Sequence, residues 1–194
     1  MQIVMVRSFG SLTNETVRHL AWFRTELKLV FDLALFADFD GTFNAIAPLL
    51  VGEQCRKERG KFLSLESGYN ASESIREYRA TDKRRSEALE RVARYAATSL
   101  KGDLFSKCGG SFYSAGTDKR RRESLPRPEN VLVVSHSPLV QAIAMRFYPE
   151  REDLEDVSLG FCEGFCFQYD PERQKTLGDL IILKRGSKTP GKAR

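Results

Sequence analysis

Residues 131–136 read Val-Leu-Val-Val-Ser-His and run straight into Ser137-Pro138 and an apolar helical pattern ending near Phe147. This stretch constrains the fold more than any other. Four consecutive apolar β-formers make a buried strand. Ser137 is a good N-cap and Pro138 suits a first helical position, so a helix is expected from Pro138 to about Phe147. A strand that turns at once into a helix points the His136 imidazole and a set of free backbone N–H groups at one spot on the carboxyl edge of a sheet. Such a spot seats a phosphate well. His136 is also one of only two histidines in 194 residues.

The rest of the chain supplies a sheet for that strand to join. Gln2–Val6 reads as a short buried strand. Residues 14–28 carry Val17, Leu20, Ala21 and Leu27 near helical spacing, and Phe31–Leu35 reads as a second strand. A short helix is expected over 40–50. Residues 51–80 are polar and mixed, with no assignable period. A helix is expected over about 82–100, where Leu89, Val92, Ala93, Ala96 and Leu100 form one stripe and Gly102 suits a stop. Residues 101–130, rich in Gly, Ser and basic residues, read as a long loop. Two late strands, 161–169 and 179–184, are joined by the turn Asp170-Pro171-Glu172. Alternating strands and helices predict an α/β fold: three layers, a mainly parallel sheet with helices on both faces. Residues 1–184 are read as one domain and 185–194 as a disordered basic tail.

Bulk properties exclude several classes. The formal net charge of +5 is carried by Lys184, Arg185, Lys188, Lys192 and Arg194, and no acid follows Asp179, so residues 1–183 are neutral overall. A cationic nucleic-acid-binding face is therefore not expected. Cys162-Glu-Gly-Phe-Cys166 is a C-x3-C with no histidine nearby, unlike a metal knuckle. The four cysteines, Cys55, Cys108, Cys162 and Cys166, are read as reduced thiols of a cytoplasmic protein. Asp32 and Asp38 interrupt the most apolar region, so no membrane span is expected. The echo between Thr81–Arg91 and Thr117–Arg127 is too short to be a repeat architecture.

Several segments together resemble the histidine phosphatase superfamily, with its phosphoglycerate-mutase-like fold. Val131–Phe147 resembles that family's second-histidine segment. Ile3-Val-Met-Val-Arg7 resembles its first strand, which normally ends in Arg-His-Gly. Leu12-Thr13 and the following helix resemble its L-T-x-x-G-x-x-Q-A segment, and Phe31 to Leu50 resembles a strand leading into S-S-P-L-x-R-A-x-Q-T-A. In that family a histidine attacks phosphorus, two arginines and a second histidine hold the phosphoryl oxygens, and a carboxylic acid protonates the leaving group. Carried over by position, this chain keeps Arg7 and His136. The nucleophile position is Ser8, Phe9 replaces the glycine, the second arginine falls on Gly41, and the acid falls near Lys83 with Asp82 beside it. Asn14 either matches a family asparagine or begins the helix, and the helix is the preferred reading. His19 lies inside that helix and is not expected to activate Ser8.

The resemblance thus implies a phosphate-binding domain. Arg7, His136 and Ser137 would hold the anion, and His136 and Ser8 would stand at the catalytic positions. Phosphomonoester hydrolysis is expected to be weak or lost. No metal or other cofactor is implied, and the expected partner is a phosphorylated small molecule or phosphoanion. Two other readings compete. Asp38-Phe-Asp40-Gly41-Thr42 resembles the first motif of the haloacid-dehalogenase-like phosphatases, in which Asp38 would be the nucleophile, Asp40 the acid and base, and Mg²⁺ the bridging ion. Alternatively, the domain is a non-catalytic scaffold or regulator.

Overall fold

The structure, a computed structural model, describes residues 1–8, 13–37, 50–52, 54–60, 94–104, 128–135 and 139–186. Six strands form one sheet: β1 (Gln2–Arg7), β2 (Leu33–Ala37), β3 (Arg56–Gly60), β4 (Asn130–Ser135), β5 (Gly164–Asp170) and β6 (Lys175–Leu183), in the order β3-β2-β4-β1-β5-β6. The pairs β1·β4, β2·β4 and β2·β3 are parallel, while β5 and β6 join antiparallel beside β1. The helices are α1 (Asn14–Leu27), α2 (residues 94–104) and α3 (Leu139–Phe147), with a 3-10 turn at Glu152–Asp156.

Three layers result, as the alternation of elements predicts. Val4, Val6, Leu132 and Val134 face α1 through Leu20 and Phe23. On the opposite face Ile3, Met5, Val131 and Val133 pack against Leu100, Leu139 and Ile143. Both faces of β4 are buried, which explains its unbroken apolar run. Each of these side chains contributes about 1.5–3 kcal/mol on burial. At the amino ends of the strands, Asp32 acts as a clip. Its Oδ2 accepts the N–H groups of Glu129 (2.8 Å) and Asn130 (2.9 Å), holding the entry to β2 against the start of β4.

Helix α1 begins where expected, at Asn14, because Thr13 and Thr16 cap it reciprocally. Thr13 Oγ1 accepts the Thr16 N–H at 3.2 Å and Thr16 Oγ1 accepts the Thr13 N–H at 2.6 Å. The inward face differs from the expected one. Thr16, His19, Leu20 and Phe23 are buried, whereas Val17 is 51 % exposed and Ala21 is also exposed. The i, i+3, i+4, i+7 spacing of the buried set is a proper helical face, and two of its four members are polar.

Other boundaries move for physical reasons. Strand β2 starts at Leu33 rather than Phe31, whose ring instead stacks on Phe23 with centroids 6.1 Å apart. Helix α2 continues through Gly102 to Leu104, which is fully buried, so the glycine is not a stop. Strand β3, Arg-Lys-Glu-Arg-Gly, falls in the stretch that could not be assigned. It is an edge strand beside β2, and an edge tolerates such charge. Hairpin β5–β6 is tighter than expected, because Asp170 Oδ1 accepts the N–H groups of Glu172 and Arg173, so β6 begins at Lys175. The expected helix over 40–50, most of the loop 101–130, the tail beyond 186 and Cys108 lie outside the described residues, apart from Leu50 and the flanks at 101–104 and 128–130. Among the described residues, no helix is long and apolar enough to cross a membrane.

Candidate functional site

The carboxyl edge of the sheet is built where β1 and β4 end side by side. Arg7 lies opposite Ser135 in the parallel register, and the next N–H, that of Ser8, donates to the Ser135 carbonyl at 2.7 Å. The turn before β5 closes over this edge. The Arg7 N–H donates to the Glu163 carbonyl (2.8 Å), and the Cys162 N–H donates to the Arg7 carbonyl (2.9 Å). The backbone of Arg7 is thereby locked between two strands and a turn. Ser8, at 5 % exposure, sits beneath it. Cys162 takes a left-handed φ of 60°, which lets the turn fold back this sharply.

The Arg7 side chain is held by the same turn. Its Nη1 donates to the Leu159 carbonyl at 2.5 Å, and its guanidinium lies over the Phe161 ring, 4.7 Å from the centroid. Phe161 also touches α1, since His19 meets it edge-on with centroids 6.3 Å apart and planes at 88°. His19 is buried, and its Nδ1 is enclosed with no hydrogen-bond partner among the described residues. Its Nε2 stands 3.9 Å from Glu15 Oε1. Glu163 staples the turn. Its carboxylate accepts the N–H of Gly160 (2.7 Å) and the N–H of Arg185 (2.9 Å), tying the turn to the end of β6. Gly160 is squeezed between these groups. A Cβ there would come within 3.1 Å of the Glu163 carboxylate and 3.2 Å of the His19 ring.

Of the residues singled out in the sequence, Arg7 and Ser8 are brought to this edge together. His136 and Ser137 follow β4 directly but lie outside the described residues, as do Asp38, Asp40, Gly41, Asp82 and Lys83. Sequence reasoning set His19 aside and passed over Phe161 and Glu163, all of which pack around the turn that holds Arg7. The signal for His19 was present, because it shares the 3.6-residue phase of Leu20 and Phe23. Glu163 and Phe161 belong to an irregular turn that periodicity does not reach.

No family model and no curated protein matches the sequence. Among solved structures, the alpha-ribazole phosphatase of Shigella flexneri superposes with a TM-score of 0.57 at 12 % identity, covering 97 % of this chain and 100 % of that one. The fold is phosphoglycerate-mutase-like. A phosphoglycerate mutase of Plasmodium falciparum is also found, at a TM-score of 0.46 and 12 % identity, over 100 % of this chain and 96 % of that one. In open α/β sheets ligands bind beyond the carboxyl ends of the strands. That is the edge where Arg7 and Ser8 stand.

The chemistry available at this edge is that of a cation and hydrogen-bond donors. The described thiols add no nucleophile. Burial, with the Glu163 charge adding to it, pushes the Cys162 thiol up to about 12, burial pushes Cys55 up to about 11, and burial raises Cys166 against the Gln2 amide hydrogen bond. Cys55, Cys162 and Cys166 are all free. Among the described residues, no group of three or more His, Cys, Asp or Glu side chains is placed to hold a metal ion. A separate cleft of about 320 Å³ lies at the opposite edge, between the end of α1 and the amino ends of β2 and β3.

Proposed function

We propose that the carboxyl edge of the sheet binds a phosphate group through Arg7, His136 and Ser137, and that phosphomonoester hydrolysis there is weak or lost. The observation that carries this reading is the pairing of Arg7 with Ser135. It sets the arginine beside the strand end from which His136 and the start of α3 emerge. A guanidinium, an imidazole and the N–H groups of a helix start are together the donors an anion seat needs. Turnover needs an activated nucleophile as well, and by the family resemblance Ser8 falls where the nucleophilic histidine is expected. A serine without a general base attacks phosphorus poorly. The partner is a phosphorylated small molecule or a phosphoanion.

The grip of the Leu159 carbonyl and Phe161 on Arg7 favours a second reading, in which the arginine is structural and the domain is a scaffold. One set of measurements separates the readings. Calorimetric titration with inorganic phosphate should give saturable binding that Arg7→Gln weakens at least tenfold, matching about 1.4 kcal/mol from one charge-assisted contact. Hydrolysis of p-nitrophenyl phosphate should stay near background with or without Mg²⁺. Binding indifferent to Arg7→Gln would support the scaffold. Robust Mg²⁺-dependent turnover abolished by Asp38→Asn would support the aspartate-based mechanism instead.

A further inference from the structure

We propose that the cleft between the end of α1 and the amino ends of β2 and β3 is a second binding site, for a small organic acid with an aromatic or acyl body and one anionic head. It lies at the opposite edge of the sheet from Arg7 and does not depend on the anion seat there. The cleft holds about 320 Å³. That is the low end of the range of about 300–1,000 Å³ that ligand pockets span, so it suits a small molecule. Its shape follows from how α1 stops. Lys28 takes a left-handed φ of 47°, which turns the chain out through Leu29 and Val30 before Phe31 stacks back on Phe23. The opposite wall is the turn that leads into β3. There the Cys55 N–H donates to the Gly52 carbonyl (3.3 Å) and the Arg56 N–H to the Asp32 carbonyl (3.0 Å), while the Asp32 N–H donates to the Asn130 carbonyl (3.0 Å). Both walls are tied to the sheet, so the cleft is formed before anything enters it and little ordering is left for a ligand to impose.

The lining decides the chemistry of the ligand. Phe23, Phe31, Leu50 and Val51 make an apolar floor. Val30 also lines the cleft and is 75 % exposed, so an apolar body that covers it removes hydrocarbon from water. Cys55 adds a neutral wall, because burial pushes its thiol up to about 11. The charge sits on the α1 side. Arg24 and Lys28, one helical turn apart, both line the cleft and are exposed, and neither has an acidic partner among the described residues. No carboxylate among the described residues lines the cleft. Asp32, the nearby acid at the entry to β2, spends its Oδ2 on the N–H groups of Glu129 and Asn130. The carbonyl end of α1 contributes about half a negative charge, which two full cations outweigh. An apolar body below and an anion at the rim match this surface, whereas a cationic ligand would meet Arg24 and Lys28.

The probe is anilinonaphthalene sulfonate, an aromatic body with one anionic head, titrated by fluorescence beside its neutral analogue phenylnaphthylamine. Saturable binding at one site per chain is expected, with the sulfonate bound more tightly than the neutral compound. Combining Arg24→Gln with Lys28→Gln should weaken the sulfonate about fivefold, at roughly two- to threefold per exposed cation, and leave the neutral analogue unchanged. Gly52→Phe places a ring where a Cβ meets no atom within 4 Å, so it should fill the cleft and abolish binding of both while the circular dichroism stays native. In an NMR titration of the parent chain, the amide signals of Gly52, Gln54 and Cys55 should move to saturation while those of Arg7 and Ser8 stay still. The proposal is overturned if the sulfonate does not saturate at one site, if the double variant binds it as the parent does, if a folded Gly52→Phe still binds it, or if the moving amides cluster away from the cleft. If Gly52→Phe does not fold, the amide shifts of the parent chain decide the site by themselves.

Discussion

Gly164→Ala tests how closely β5 presses on β1. Gly164 opens β5 opposite Val6, one residue before Arg7. A Cβ built there stands 1.8 Å from the Met5 carbonyl oxygen and 2.8 Å from both Met5 C and Val6 Cα. The shortest of these falls about 1.2 Å below the 3.0 Å that real Cβ atoms keep. All three atoms are backbone, so no rotamer change relieves the clash and β5 must lift away. Overpacking of this kind costs about 1–3 kcal/mol. The two ladder steps nearest the clash, Val6–Gly164 and Met5–Phe165, would stretch as well, at about 0.5–1.5 kcal/mol per hydrogen bond lost. Removing glycine's freedom in the unfolded chain returns about 0.4–1 kcal/mol. The expected net loss is about 3–4 kcal/mol, a fall in Tm of roughly 6–16 °C for a domain of this size. Urea unfolding followed by circular dichroism and by the fluorescence of Trp22, the single tryptophan, would measure it. Gly52→Ala, which meets no atom within 4 Å, should stay within about 0.5 kcal/mol of the parent. A Gly164→Ala loss below about 1 kcal/mol would refute the argument, because the strands would then not be held at the spacing on which the Arg7 backbone geometry depends.

Four further outcomes follow from other contacts in the fold. Glu163→Gln keeps the shape but faces one backbone N–H with an NH₂ group, stranding a buried donor, so chemical denaturation should show a loss of about 2–3 kcal/mol; a neutral result would mean the staple to Gly160 and Arg185 is slack. Tyr169 is fully buried and its hydroxyl has no partner among the described residues, so Tyr169→Phe should be neutral or stabilising by up to about 1 kcal/mol. Burial pushes the Tyr169 phenol up from 10.0 to about 12. The unfolded chain therefore releases this proton first, and stability should fall as pH rises from about 10 to 12, less steeply in Tyr169→Phe. Finally, Cys55 and Cys162, whose thiols stay protonated well above pH 8, should resist iodoacetamide in the native state at that pH, as read by peptide mass mapping; rapid native labelling of either would show that the burial is not real.

What was legible in the sequence tracks how strongly burial marks a segment. Strand β4 is enclosed on both faces, so its apolar run survives any register. Arg7 was legible because it ends such a strand. The phase of α1 was misjudged because Thr16 and His19 share its inward face, and an apolar count passes over both. Strand β3 was illegible because an edge strand can be written almost wholly in charged residues. The turn holding Leu159, Phe161 and Glu163 has no period at all. Its role depends on Arg7, which is distant in sequence and adjacent only once β5 has paired with β1.

The central place of β1 has a consequence for how the molecule is made. Val4 pairs with Leu132 on one side and Cys166 on the other, so both neighbours of this strand lie far along the chain. On the ribosome, Ile3-Val-Met-Val6 emerges well before either neighbour exists and must wait as an uncovered apolar segment. Long-range pairing of this kind slows folding and prolongs exposure to aggregation. The strand that anchors the candidate site is therefore synthesised long before it is secured. A chain stalled before β5 would carry its arginine on an unfinished sheet, in need of a chaperone rather than a ligand.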